Sequence, residues 1–164
     1  MKKNLIILFL LIIFPIKAFA LIEVDITRGN LNPLPLAVSP LSIDDKSKTS
    51  FEKILKKENI GSEISIIVEN NLRTSGLFNP LSKDAFLQAP DIANLKPRFE
   101  DWNLIKAQAL ITGKVTYVNE KLRVEFRLWD ILAAKEMMAL AFTTVPSNWR
   151  RVGHIISDKV YERL

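Results

Sequence analysis

The chain has 164 residues, no cysteine and one histidine, and its formal net charge is +5. Without cysteine it can form no disulfide bond and carry out no thiolate chemistry. Lys2, Lys3 and Lys17 contribute three of the five net positive charges, so residues 21–164 carry only +2, which gives no support to nucleic-acid binding.

The first twenty residues have the pattern of a signal peptide. Two lysines precede an unbroken apolar run at residues 5–14, and a helix of that length rises only about 15 Å, roughly half a bilayer core. Ala18 and Ala20 then supply small side chains at the two positions that a signal peptidase must accommodate. We predict export, cleavage after Ala20 and no membrane insertion afterwards. The alternative is an uncleaved amino-terminal anchor.

Residues 21–164 are long enough for one domain with a buried core. Apolar and polar residues alternate over residues 22–27, which predicts a strand with one buried face. Two prolines at residues 30–35 predict an exposed connector, and residues 36–40 predict a second short strand.

The strand at residues 22–27 has two interpretations. It could add to the edge of a partner's sheet, with backbone hydrogen bonds giving affinity and Ile22, Val24 and Ile26 filling pockets. It could instead be the first strand of the domain's own sheet, and the spacing alone favours this second interpretation.

The next part of the chain changes from charged to periodic. Residues 44–58 carry many charges around only three large apolar residues, Phe51, Ile54 and Leu55, which predicts a solvated insertion with one or two helical turns. A helix is then predicted up to Gly76, because apolar residues recur at helical spacing at Ile60, Ile64, Ile67, Val68 and Leu72. Residues 78–81 predict a short extended segment, and residues 82–98 predict mostly irregular structure. Residues 99–105 predict a short helix with Trp102 and Ile105 facing inward.

The second half of the chain predicts three antiparallel strands and a closing helix. Residues 121–128 alternate charged and apolar side chains, and residues 109–118 are rich in β-branched and aromatic residues, with a two-residue turn between them. Residues 137–145 predict the third strand. Ser147 is the candidate cap of a helix with an apolar stripe at Trp149, Val152, Ile156, Val160 and Leu164. Two main helices and a small mixed sheet of about five strands predict an α/β (α+β-like) domain.

The residue types that usually carry catalysis are sparse. His154 is the single histidine, and no Gly-x-Ser-x-Gly elbow accompanies it. Asp158 and Glu162 are four residues apart, as expected for a solvated helix edge, and the isolated glycines form no phosphate-binding loop. We therefore predict no enzyme, no cofactor and no metal site. An enzyme that uses His154 with a carboxylate, or a periplasmic small-ligand-binding module, remains the alternative.

Several stretches, read in order, resemble the amino-terminal domain of the TolB family, the periplasmic component of the Tol-Pal system. The more specific are residues 72–81 (Leu-Arg-Thr-Ser-Gly-Leu-Phe-Asn-Pro-Leu) and residues 148–164, which contain Trp-Arg-Arg, His154 and Asp-Lys-Val-Tyr-Glu. Residues 22–29 and 33–38 also fit but would be weak alone. The resemblance extends over nearly all of residues 21–164.

The resemblance implies a fold similar to anticodon-binding domains, formed by residues 35–164, and a mobile segment at residues 21–34 that binds the carboxyl-terminal domain of TolA. It implies a non-enzymatic periplasmic adaptor that supports outer-membrane integrity during cell division. The partner-binding residues that it implies are Leu21, Ile22, Glu23, Val24, Asp25, Ile26, Thr27 and Arg28.

The chain departs from the family pattern in two respects. In the family a β-propeller that binds Pal follows this domain, whereas here the sequence ends at Leu164. We therefore expect a truncated form without Pal binding, and a degenerate fragment with reduced function is the alternative. Residues 44–58 are also longer than the family pattern, so the resemblance assigns them no role.

Overall fold

The computed structural model of the protein describes residues 32–164. The predicted signal peptide at residues 1–20 and the predicted strand at residues 22–27 lie outside this range. Six strands are present in it: β1 Leu34–Val38, β2 Ser42–Ile43, β3 Phe78–Pro80, β4 Ala109–Val118, β5 Lys121–Asp130 and β6 Lys135–Thr144. There are five α-helices: α1 Asp45–Leu55, α2 Ile60–Thr74, α3 Pro90–Leu95, α4 Phe99–Leu104 and α5 Trp149–Arg163.

The strands form one mixed sheet in the order β3-β1-β4-β5-β6. β1 is parallel to both of its neighbours, β3 and β4, whereas β4, β5 and β6 are antiparallel. β2 continues the line of β1 along β4, because Val38 pairs with Ile111 and Ser42 pairs with Lys114. The predicted mixed α/β fold is confirmed.

Alternation along β5 explains how the sheet acquires a buried face. Leu122, Val124, Phe126 and Leu128 are buried, while the charged residues between them remain at least partly exposed. Asn119 and Glu120 form the turn between β4 and β5. Their φ angles are both positive, at 50° for Asn119 and 60° for Glu120. Positive φ at both central residues belongs to a type I′ turn, whose twist matches that of an antiparallel hairpin.

Helices α2 and α5 cover the buried face of the sheet. The Asn59 side chain caps α2 by accepting a hydrogen bond from Ser62 N at 3.0 Å, and Gly76 follows the helix with φ of 73°. The two helices approach closely, because a Cβ atom at Gly153 would lie 2.9 Å from Cγ2 of Ile67. Glycine at this position allows the helices to pack together.

The opposite face of the sheet carries a smaller apolar cluster. Trp102, Leu110 and Trp129 are buried there, and the segment that contains α3 and α4 lies over them. The Trp102 indole donates a 2.8 Å hydrogen bond to Oε1 of Gln88. This partner satisfies the polar atom of a ring that is otherwise removed from water.

Residues 44–58 were predicted to form one or two helical turns, and this is wrong. α1 has eleven residues, and its cap is Asp44, whose Oδ1 accepts from Ser47 N at 2.9 Å. Phe51 is fully buried and packs edge-on against Tyr117 at 5.4 Å between ring centroids. A single well-placed aromatic residue and a strong cap thus stabilise a helix whose composition is otherwise polar.

Three smaller predictions also need correction. The exposed connector predicted at residues 30–35 ends earlier, because Leu34 and Pro35 belong to β1. Residues 82–98 contain a 3-10 turn at Lys83–Ala85 as well as α3, which begins with Pro90, a residue suited to the first turn of a helix. Ser147 lies within a 3-10 turn, and no side chain caps α5.

Candidate functional site

The partner-binding residues predicted from the sequence, Leu21 to Arg28, lie outside the described residues, as do Ala18 and Ala20 of the predicted cleavage site. The structure describes the position at which this segment joins the domain. Asn32 and Pro33 are exposed, and Leu34 begins β1. The candidate site is therefore a segment whose carboxyl end is attached to a central strand of the sheet.

The start of β1 is hydrogen-bonded to the neighbouring segments on both of its sides. Leu34 N donates a 2.9 Å hydrogen bond to Leu77 O, which precedes β3, and Pro35 O accepts a 2.9 Å bond from Gln108 N, which precedes β4. A proline has no N–H, but here its carbonyl continues the ladder. The segment preceding Leu34 thus starts from a fixed point at one end of the sheet.

The core beneath this attachment is closely packed. Leu36 is fully buried and Phe78 is 5% exposed, and Phe78 contacts Tyr161 of α5 edge-on at 6.3 Å between ring centroids. Tyr161 is itself 54% exposed. α5 therefore reaches the end of the sheet at which β1 begins.

An ionic cluster stabilises the region after β3. Glu69 of α2 accepts from Arg73 Nη2 at 2.6 Å and contacts Lys83 Nζ at 3.1 Å. Partial burial would raise the pKa of the Glu69 carboxyl, but the hydrogen bonds and positive charges of Arg73 and Lys83 outweigh it and hold this pKa below its usual value. The cluster links α2 to the turn at Lys83–Ala85.

His154 lies on an exposed part of α5, and its contacts are those of a structural residue. Nδ2 of Asn71 lies 2.9 Å from Nδ1 of His154 and donates a 3.0 Å hydrogen bond to Oγ of Ser157. An amide nitrogen can only donate, so Nδ1 of His154 is the acceptor in this contact. The side chain that orients His154 is thus an amide and not the carboxylate that acid–base catalysis would favour.

A shallow cavity of about 440 Å³ surrounds His154 and also contains Asp158 and Tyr161. Asp158 is exposed, and the hydrogen bond of His154 goes to Asn71. Within residues 32–164, no three histidine, aspartate or glutamate side chains come together as a metal site would require. The described helices also include none with the length and apolar character needed to cross a membrane.

Sequence reasoning missed two features of this region. The first is the position of β1 between β3 and β4, because parallel pairing between distant segments leaves no local signal. The second is Asn71 as the partner of His154. Asn71 lies one residue before Leu72 of the predicted apolar stripe, so its position at the edge of the interface between α2 and α5 could have indicated this contact.

Comparisons with known proteins show what this chain is similar to. A family model for the TolB amino-terminal domain matches residues 22–137. Over 155 residues the chain is 86% identical to the Tol-Pal system protein TolB of Pelagibacter ubique (strain HTCC1062), and the match covers 94% of this chain and 35% of the relative. The chain thus spans about a third of the length of that curated relative.

A solved structure shares the fold. The crystal structure of TolB from Acinetobacter baumannii matches with a TM-score of 0.60 and 21% sequence identity, over 80% of this chain and 28% of the other. At this level of identity the similarity concerns the fold alone.

Proposed function

Because this chain belongs to the TolB amino-terminal domain family, we propose that it is a periplasmic adaptor of the Tol-Pal system and not an enzyme. The observation that carries the proposal is the 86% identity to a Tol-Pal system protein TolB, together with the family match over residues 22–137. The pairing of His154 with Asn71 supports a role without catalysis. The sequence pattern of residues 1–20 supports export by a signal peptide that is removed after Ala20.

We further propose that the segment from Leu21 to Arg28 binds the carboxyl-terminal domain of TolA by adding a strand to its sheet. The alternation of Ile22, Val24 and Ile26 with polar residues supports this mode, because backbone bonds give affinity while alternate side chains enter pockets. Through this contact the protein would support outer-membrane integrity during cell division.

The anchoring of Leu34 supports a division of roles within the chain. A short ligand segment loses less entropy on binding when its end is already attached to a rigid body. β1 provides this attachment because both of its edges are paired. Residues 32–164 thus act as the support and residues 21–31 as the ligand.

The test is a titration of fluorescently labelled TolA carboxyl-terminal domain with residues 21–164 and with a variant that lacks residues 21–31. This deletion spares β1, which begins at Leu34, so the domain is expected to keep its circular dichroism spectrum and unfolding midpoint. We expect the deletion to abolish binding. Equal affinity of the two proteins would reject the proposal.

A pair of single substitutions tests the strand mode. Val24→Asp places a charge where an apolar pocket is expected, and we predict affinity at least tenfold lower, about 1.4 kcal/mol. Glu23→Gln on the opposite side of the strand is the matched control and should change affinity less than threefold, about 0.65 kcal/mol. Equal losses from the two substitutions would argue against strand addition in the proposed orientation.

A further inference from the structure

β1 begins beside three other segments at one end of the sheet. On one side Leu77, which precedes β3, accepts a hydrogen bond from Leu34 N. On the other side Gln108, which precedes β4, donates to Pro35 O, and its own carbonyl accepts a 3.0 Å bond from Ile131 N. Gln108 thus connects the start of β1 to the turn between β5 and β6. Strands lie about 4.8 Å apart, so these four segments span only about 14 Å.

Three leucines are exposed at this end of the sheet. Leu104 ends α4, four residues before Gln108, and is 71% exposed. Leu132 follows Ile131 and is 69% exposed, and Leu77 is 38% exposed. A single exposed leucine is ordinary, but several of them around the start of one strand indicate a contact surface. We refer to Leu77, Leu104 and Leu132 as the end leucines.

The segment proposed to bind TolA is close to the end leucines along the chain. It ends at Arg28, and only residues 29–33 separate it from Leu34. This connection can extend over roughly 20 Å at most. A folded domain of about 100 residues has a radius of gyration of about 13 Å. A partner domain that binds the segment is therefore held with its surface close to the end leucines.

The segment alone forms a small interface. Residues 21–28 are far fewer than the 20–30 residues that each side of a stable interface contributes, typically with about 1,200–2,000 Å² buried in total. A contact on the domain itself supplies part of the missing area. Two contacts joined by a short connection also reinforce each other, because the second forms at a high effective concentration.

We propose that the end leucines contact the same carboxyl-terminal domain of TolA that binds Leu21 to Arg28, and that they meet an apolar patch on this partner. This second contact rests on the proposed function, because the segment is what brings the partner to this end of the sheet. The segment then provides the strand, and the domain adds affinity of its own beyond supporting that strand.

The first test compares a synthetic peptide of residues 21–33 with residues 21–164 in titrations of the labelled TolA carboxyl-terminal domain. We expect the protein to bind at least tenfold more tightly than the peptide. Equal affinities would overturn the second contact and leave the proposed function intact. Absence of binding by both would reject the proposed function and the second contact with it.

Substitutions separate the end leucines from the effect of attachment to β1, which also favours the protein over the peptide. Leu104→Ser combined with Leu132→Ser should lower the affinity of residues 21–164 about tenfold. Both side chains are exposed, so the unfolding midpoint should not change. An affinity equal to that of the unmodified protein would overturn the second contact.

Leu95→Ser is the matched control for these substitutions. Leu95 is 79% exposed on α3, but it lies beside Ser42 and Ile43 of β2, beyond the opposite end of β1. We expect its affinity for TolA to stay within twofold of the unmodified protein. A loss as large as that of the double variant would mean that exposed leucines act without regard to position, and would overturn the second contact.

Lengthening the connection tests whether the two contacts act together. About fifteen Gly and Ser residues inserted between Asn32 and Pro33 increase its length fourfold. Effective concentration falls with roughly the 3/2 power of length, so the affinity should fall about eightfold. In the Leu104→Ser, Leu132→Ser variant the insertion should change affinity less than twofold. Equal effects of the insertion on both proteins would overturn the second contact.

A second copy of the chain is the other occupant that these variants distinguish. We expect residues 21–164 to be monomeric in sedimentation equilibrium. A dimer that Leu104→Ser and Leu132→Ser dissociate would assign the end leucines to self-association and overturn their contact with TolA.

Discussion

The two edges of the sheet are built differently. The edge at β3 is fixed in the core, whereas the edge at β6 is exposed and unpaired among the described residues. At one edge β3 has three residues, of which Phe78 and Pro80 are buried and Pro80 has no N–H to donate. At the other edge β6 has ten residues, all of them partly or fully exposed. Between them β1, β4 and β5 are paired on both sides.

The difference follows from the residues that each edge contributes to the core. Phe78 packs in the same cluster as Leu36 and Ile64, so β3 cannot leave without opening the core. β6 contributes only partly buried side chains, Met137, Met138 and Phe142. β6 carries little of the core, so we expect local stability to increase from the β6 edge toward β3.

The largest effect is expected from breaking the fixed edge. Phe78→Ala removes a buried ring, and we expect the free energy of unfolding to fall by about 3–5 kcal/mol in urea denaturation. Leu77→Ala is the control: Leu77 is adjacent but 38% exposed, and its loss should be below about 1 kcal/mol. Similar losses at both positions would mean that the burial of Phe78 is not what fixes this edge.

The centre of the sheet should tolerate added volume poorly. A Cβ atom at Gly113 of β4 would lie 2.4 Å from Glu125 O and 2.7 Å from Cδ2 of Leu41. We expect Gly113→Ala to cost about 3 kcal/mol, because the backbone of β5 has to shift. Adding Leu41→Ala to this variant should recover none of the lost free energy of unfolding. Recovery in the double variant would mean that the Leu41 side chain, and not the strand spacing, sets the limit.

The features that could be predicted from the sequence are those with a local signal. Strict alternation in β5 and helical spacing in α2 correctly predicted both elements. α1 was underestimated because its stability depends on Phe51 packing against Tyr117, a contact between distant segments. The parallel pairing of β1 with β3 and β4 and the contact between Asn71 and His154 depend on the assembled fold in the same way.

A smaller effect is expected from the ionic cluster beside the fixed edge. The folded pKa of Glu69 is lowered from its usual 4.5, so this carboxylate stabilises the fold above pH 4.5 and loses that contribution as the pH falls through the lower folded value. Glu69→Gln should cost about 0.5–1 kcal/mol at pH 7. The difference from the unmodified chain should disappear in acid. A difference that persists at pH 2 would assign the loss to packing.

The smallest effect is expected at the open edge. Ala141 is exposed and faces the polar side of β6, so Ala141→Gln should change the free energy of unfolding by less than about 0.5 kcal/mol. Urea denaturation beside Gly113→Ala gives the comparison, since both substitutions enlarge a small residue of the same sheet. A cost at Ala141 near that at Gly113 would mean that β6 is held as tightly as β4.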